Sequence, residues 1–96
     1  MVQIEWTEEA ENDLDYIMAY ISRSSFQYAR TFFGNVHESI ENLRSFPKIG
    51  RRLPESKHPE DRELLLQKYR IIYRFIEEEE KILIMMIIHG SRLLRT

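Results

Sequence analysis

Tyr69-Arg70-Ile71-Ile72-Tyr73-Arg74-Phe75 alternates along the chain. In an extended backbone Tyr69, Ile71, Tyr73 and Phe75 share one face, and Arg70, Ile72 and Arg74 share the other. The aromatic face is expected to pack on helices. A second strand over 81–89 follows the run Glu77-Glu78-Glu79-Glu80, which reads as a solvated hairpin turn, although it lacks the glycine or asparagine that a tight primed turn prefers. If Glu78-Glu79 is a two-residue turn, Glu77 pairs with Glu80 and Arg70 lies opposite Ile87. His89 is then a diagonal neighbour of Arg70 on the same face, with Leu83, Met85 and Ile87. A three-residue turn would reverse that assignment.

Outward from this hairpin, a third strand is expected over 62–68. Residues 47–61, with Pro47, Gly50, Pro54 and Pro59, read as a loop. Towards the N-terminus, Val2 to Trp6 reads as a short strand. Thr7 is a helix N-cap, and Glu8 and Glu9 suit the positive end of the helix dipole. Ala10, Leu14, Ile17, Met18 and Ile21 recur at helical spacing. Ser22-Arg23-Ser24-Ser25 breaks the pattern. Ala29, Phe32, Phe33, Val36, Ile40 and Leu43 then mark a second helix that ends before Pro47.

The order is β-α-α-β-β-β, an α+β fold with a helical hairpin on one face of a mainly antiparallel sheet. Two helices cover only one face. The other is expected to carry Leu65, Ile72, Leu83, Met85 and Ile87 without internal cover, rimmed by Arg70, Arg74 and His89. An apolar patch of that kind usually marks a partner.

The 96 residues make a single domain, 1–96. There is no cysteine, hence no disulfide framework or thiolate site. The N-terminus is too polar for a signal peptide, and the apolar run Ile82 to Ile88 falls far short of the roughly 20 residues a bilayer requires. A cytoplasmic protein without membrane contact is expected. The net charge of −2 conceals an asymmetry: −5 over residues 1–40, +4 over 41–74 and −1 over 75–96. The basic middle places its arginines in or beside strands.

Several chemistries are excluded. His37, His58 and His89 lack metal-ligand spacing, and HExxH is absent. Gly90-Ser91 is not a G-x-S-x-G nucleophile elbow. Three glycines leave no phosphate loop. Neither metal nor cofactor is expected.

Trp6 ending the first strand, Ala10 with Asp13-Leu14, Phe46-Pro47 with Gly50-Arg51, Pro54-Glu55, Arg62-Glu63, Tyr69-Arg70-Ile71 with Tyr73, and His89-Gly90-Ser91-Arg92 occur in an order and at intervals that span nearly the whole chain. In these residues the chain resembles the RelE/ParE superfamily of toxins from toxin–antitoxin modules, also described as plasmid stabilisation proteins, and the ParE branch most closely. The resemblance implies a toxin held inactive, in a hetero-oligomer, by an antitoxin encoded beside it. ParE-like members inhibit DNA gyrase, whereas RelE-like members cleave messenger RNA on the ribosome. The acidic pI of about 5.9 departs from the strongly basic character of the nucleases.

Cleavage through a 2′-hydroxyl needs a base, an acid and cations at phosphorus. The resemblance places Arg70 as the cation, with pairing to a carboxylate such as Glu63 as its structural alternative. His89 offers acid–base chemistry or strand-end hydrogen bonding. Glu55 stands as a carboxylate base or as a loop partner of Arg51 or Arg52. Arg51, Arg52 and Arg92 serve a target, a partner or only solvent, and Asp13 is a surface or capping residue. Partner binding would use Arg51, Arg52, Arg70, Arg74, Met85, Ile87 and Arg92. The preferred expectation is a ParE-like toxin acting by protein binding. The alternatives are a RelE-type endonuclease using Arg70, His89 and Glu55, and an inactive toxin that retains only antitoxin binding.

Overall fold

A computed structural model of the protein describes residues 1–92. The chain runs β1 (Gln3–Trp6), α1 (Glu8–Ser22), α2 (Phe26–Glu41), β2 (Arg51–Arg52), β3 (Asp61–Leu66), β4 (Tyr69–Ile76) and β5 (Lys81–His89). The five strands form one sheet in the order β1-β5-β4-β3-β2. Its pairs are antiparallel except β1 on β5, which is parallel. A parallel neighbour requires a crossover, and the helical hairpin is part of that crossover.

Local chemistry sets the helix ends. Thr7 Oγ1 accepts from Ala10 N at 3.0 Å and donates to Met85 O at 2.8 Å, so one hydroxyl caps α1 and fastens it to β5. Ser25 caps α2 in the same way, accepting from Tyr28 N. Substituting Thr7 with alanine should cost about 1–2 kcal/mol, at the upper end for an N-cap because a tertiary bond is lost too. The urea midpoint of Thr7→Ala reads this directly, and a midpoint equal to wild type would contradict the tie to β5.

The core lies between the hairpin and the sheet. Ala10, Leu14, Ile17 and Ile21 from α1 and Ala29, Phe32, Val36 and Ile40 from α2 pack on Ile71, Tyr73, Ile82, Ile84 and Ile87. Phe33 leaves the expected stripe: it is exposed and its ring packs on His37. Leu43 joins the core from a 3₁₀ turn after α2. The expected loop over 47–61 contains β2, which pairs with Glu63 and Arg62 of β3.

The β4–β5 register departs from expectation at one point. Ile76 pairs with Lys81, Arg74 with Leu83 and Tyr73 with Ile84, as the two-residue turn would require. Glu77–Glu80 nevertheless form a four-residue connection: a 3₁₀ turn closed by Glu80 in the left-handed region (φ 48°). Beyond Tyr73 the register slips by one, so Ile72 faces Met86, Ile71 faces Ile87, Arg70 faces Ile88 and Tyr69 faces His89. Met85 is the extra residue of this β-bulge. A one-residue slip turns every later side chain over. Ile87 therefore enters the core, 2% exposed, and His89 joins the Tyr69 face instead of the Arg70 face.

The second sheet face also differs from the uncovered patch expected of it. Leu53, from the 47–61 loop, packs on Ile72 and Ile88 with Met85 and Met86 at their margin. Leu65 is the member of the expected patch that stays exposed.

Candidate functional site

Arg70 projects from the start of β4 beneath the 53–60 loop and is 5% exposed. Three groups hold its guanidinium. Nε donates to Glu63 Oε1 at 2.5 Å. The two terminal nitrogens donate to both oxygens of Glu55, at 2.8 and 2.7 Å. One of them also donates to the carbonyl of Arg92 at 2.9 Å. Glu63, on the adjacent strand and 1% exposed, gives its second oxygen to Arg51 Nε. The result is a chain of alternating charges, Arg51–Glu63–Arg70–Glu55. Hydrogen bonding to Glu55, opposed by burial and assisted by Glu63, holds the Arg70 guanidinium above its ordinary pKa.

Arg70 pairs with both Glu63 and Glu55, while Arg51 engages the second Glu63 oxygen across the β2–β3 pair.

A second ion pair, with a buried carboxylate, lies two repeats along β4. Arg74 Nε donates to Asp61 Oδ1 at 2.6 Å, and Ser56 Oγ donates to Oδ2 at 2.6 Å. Burial pushes the Asp61 carboxyl up, but the hydrogen bonds from Arg74 and Ser56 and the nearby Arg74 charge outweigh it and hold the group below 3.8. A depressed folded-state pKa contributes stability that is complete above the unfolded value and is lost as pH falls through the folded one. The urea midpoint should therefore fall on acidification below about pH 4, and Asp61→Asn should flatten this acid limb. An unchanged limb in the variant would remove Asp61 as its source.

His89, Arg70 and Glu55 line one open pocket of about 610 Å³, with Arg51, Leu65, Lys68 and Tyr69. His89 Nδ1 accepts from Ser91 N at 3.2 Å and lies 2.8 Å from Ser91 Oγ, while its ring meets Tyr69 edge-on at 5.7 Å. The strand-end turn thus occupies one ring nitrogen. Arg52 and Arg92 are exposed, and Met85 is partly buried. Asp13 is more than a surface residue: its carboxylate accepts from Ile87 N at 2.9 Å, where β1 has ended and β5 needs another partner. No sequence period signals that contact, because it spans 74 residues.

Among the described residues, no group of three or more His, Cys, Asp or Glu side chains could hold a metal ion, and no helix is long and apolar enough to cross a membrane.

A strand, a helical hairpin and four further strands in a mixed five-stranded sheet define the RelE/ParE-like toxin fold. Solved structures share it. The chain is 25% identical to a chain of the chromosomal ParDE TA system from P. aeruginosa, with 93% of this chain and 96% of that one covered and a TM-score of 0.73. The intact E. coli RelBE toxin–antitoxin complex matches at 15% identity over 96% of this chain and 100% of that one, with a TM-score of 0.65. The isolated E. coli RelE toxin matches at 15% identity over 97% and 88%, with a TM-score of 0.66. No curated protein matches the sequence. The family model for the ParE toxin of type II toxin–antitoxin systems, parDE, matches residues 4–94. The chain belongs to the ParE toxin family.

Proposed function

We propose that this toxin acts by binding a cellular protein, DNA gyrase being the target that the ParE resemblance implies, and that a cognate antitoxin neutralises it in a hetero-oligomer. The observation that carries the binding mode is the state of Arg70. A catalytic cation must offer its donors to a phosphate in the transition state. Here the Arg70 donors are directed at Glu55, Glu63 and the Arg92 carbonyl. To engage a phosphate, the guanidinium would have to leave a bidentate carboxylate in a buried setting, a costly exchange. Its pocket neighbour His89 is engaged with Ser91. The acidic pI of about 5.9 points the same way, since it disfavours a polyanionic substrate.

Two assays on the purified chain test this: gyrase supercoiling, and message cleavage on ribosomes. The expected result is inhibited supercoiling with messages left intact. Message cleavage that is lost in His89→Ala, an exposed position whose substitution leaves the core untouched, would overturn the proposal in favour of an endonuclease.

A further inference from the structure

The open pocket beside the arginine network carries more positive charge than the network neutralises. Among its described lining residues Arg51, Lys68 and Arg70 are cations, and Glu55 is the sole acid. With the buried Glu63 included, two guanidinium groups balance two carboxylates, and Lys68 is left over. Lys68 is exposed and makes no ion pair among the described residues. Arg51 gives Glu63 only its Nε, and its side chain is 63% exposed, so its terminal nitrogens keep donors for another anion. His89 adds one more donor. Its Nδ1 accepts from Ser91 N, so the neutral ring carries its proton on Nε2.

The unpaired ammonium stands on a fixed turn. Gln67 and Lys68 alone join β3 to β4. Gln67 adopts a left-handed φ of 54°, where a tight turn ordinarily places glycine or asparagine. Its side-chain oxygen accepts from the Tyr28 hydroxyl, and the Lys68 carbonyl accepts from Gly90 N at 2.6 Å. Tethers from α2 and from the end of β5 thus hold the turn, and a preorganised backbone loses less entropy on binding than a mobile one. The same pocket also has apolar surface, from Leu65, 62% exposed, and the partly buried Tyr69.

We infer that this pocket docks an acidic segment of the protein that the toxin inhibits. Its aspartate or glutamate carboxylates meet Lys68 and Arg51, and its apolar atoms lie on Leu65 and Tyr69. The inference rests on the proposed binding mode and adds to it the place and the chemistry of the contact. Charge complementarity selects the occupant. One unpaired ammonium, the terminal nitrogens of Arg51 and an imidazole N–H suit one or two carboxylates. A run of phosphates calls for more free cations, and Arg70 is already engaged by Glu55 and Glu63. The exposed leucine favours a peptide too, since a side chain flanking the carboxylate covers it.

Two measurements on the full chain test this. In the first, backbone amide shifts are followed by NMR as hexaglutamate, hexalysine or hexauridylate is added. Hexaglutamate should shift the amides of residues 65–70 and 89–91, Lys68→Glu should abolish those shifts, and hexalysine should produce none. No shift with hexaglutamate would overturn the inference, and tighter binding of hexauridylate at these residues would overturn it in favour of a nucleic-acid site. In the second, affinity for purified DNA gyrase is measured by calorimetry. Lys68→Glu should weaken it by about tenfold at low salt, and the deficit should shrink as salt screens the charges. Arg30→Glu is the same reversal at an exposed position of α2 outside the pocket. An equal loss there would overturn the placement, since net charge alone would then account for it. Lys68 and Arg30 lie outside the core, so both variants should fold, which circular dichroism verifies. Gyrase affinity unchanged by Lys68→Glu would overturn the inference and leave gyrase as the target. A wild-type chain that takes hexaglutamate in this pocket but does not bind gyrase would overturn gyrase as the target and support the pocket.

Discussion

Arg70→Ala should destabilise the protein by about 3–5 kcal/mol, the loss expected when one partner of a buried ion pair is removed and the other stays behind. For a domain of this size that is a large share of the roughly 5–15 kcal/mol separating folded from unfolded. The cost does not lie in the arginine's own contacts alone. Glu63 has no exposed side-chain surface. Without Arg70 it keeps Arg51, whose side chain is 63% exposed and whose attraction is correspondingly screened. Glu55 loses both bonds of its bidentate pair with Arg70. Urea unfolding of Arg70→Ala, with Glu55→Gln beside it, measures the effect. Glu55→Gln should cost less, because Glu63 still neutralises the guanidinium and the amide still offers one acceptor. A wild-type midpoint for Arg70→Ala would show that the network is incidental to the fold. The prediction also governs how cellular experiments are interpreted. Loss of toxicity in Arg70→Ala can follow from destabilisation alone, so it does not by itself report on catalysis, and His89→Ala is the more informative probe of chemistry.

The alternation of Tyr69 to Phe75 was legible because a buried sheet face demands a period of two, and the structure places those four residues on the helix side. The start of α1 was legible for the same kind of reason: Thr7 acts through a backbone group three residues away. The placement of Ile87 and His89 was not legible. Met85 is one more apolar residue in an apolar run, and nothing local distinguishes a bulged position from a paired one. What favours the bulge lies far away in sequence, in Thr7 taking the Met85 carbonyl and Asp13 taking the Ile87 amide. Thr7 caps the helix that starts where β1 stops and Asp13 lies in its second turn, so β5 is served by a strand over its first half and by polar side chains after it. The cover on the second face was hidden for a related reason. Leu53 stands alone between arginines and a proline, and a lone apolar residue in a loop carries no period to mark it as buried.

Gly50→Ala should lower stability by roughly 2–4 kcal/mol: about 1–3 from overpacking and about 1 from a distorted hydrogen bond. A Cβ on Gly50 would stand 2.6 Å from Tyr73 Oη, 2.7 Å from Tyr73 Cε1 and 2.7 Å from the Glu63 carbonyl oxygen. None of these atoms is the end of a flexible chain. Tyr73 is fully buried in the core, and the Glu63 carbonyl belongs to the middle of β3. The Tyr73 hydroxyl accepts from Gly50 N at 3.0 Å and donates to Pro47 O at 2.8 Å, so it pins the entry of the 47–61 loop. Backing away from a methyl group would break that pin and carry Arg51 with it, and Arg51 holds the outer oxygen of Glu63. The melting temperature should drop by about 8 °C or more, taking about 4–8 °C per kcal/mol for a domain of this size. The double variant with Tyr73→Phe separates the causes. Removing the hydroxyl relieves one clash but leaves those with the ring and the Glu63 carbonyl. The two losses should therefore be coupled, summing to less than their separate values, while Gly50→Ala still costs stability in the phenylalanine background. Strict additivity would mean that the methyl group and the hydroxyl never compete. A wild-type melting temperature for Gly50→Ala would mean that the loop moves away without resistance. In that case the close approach at Gly50 would not be what holds Arg51 in line with the Glu63–Arg70–Glu55 chain.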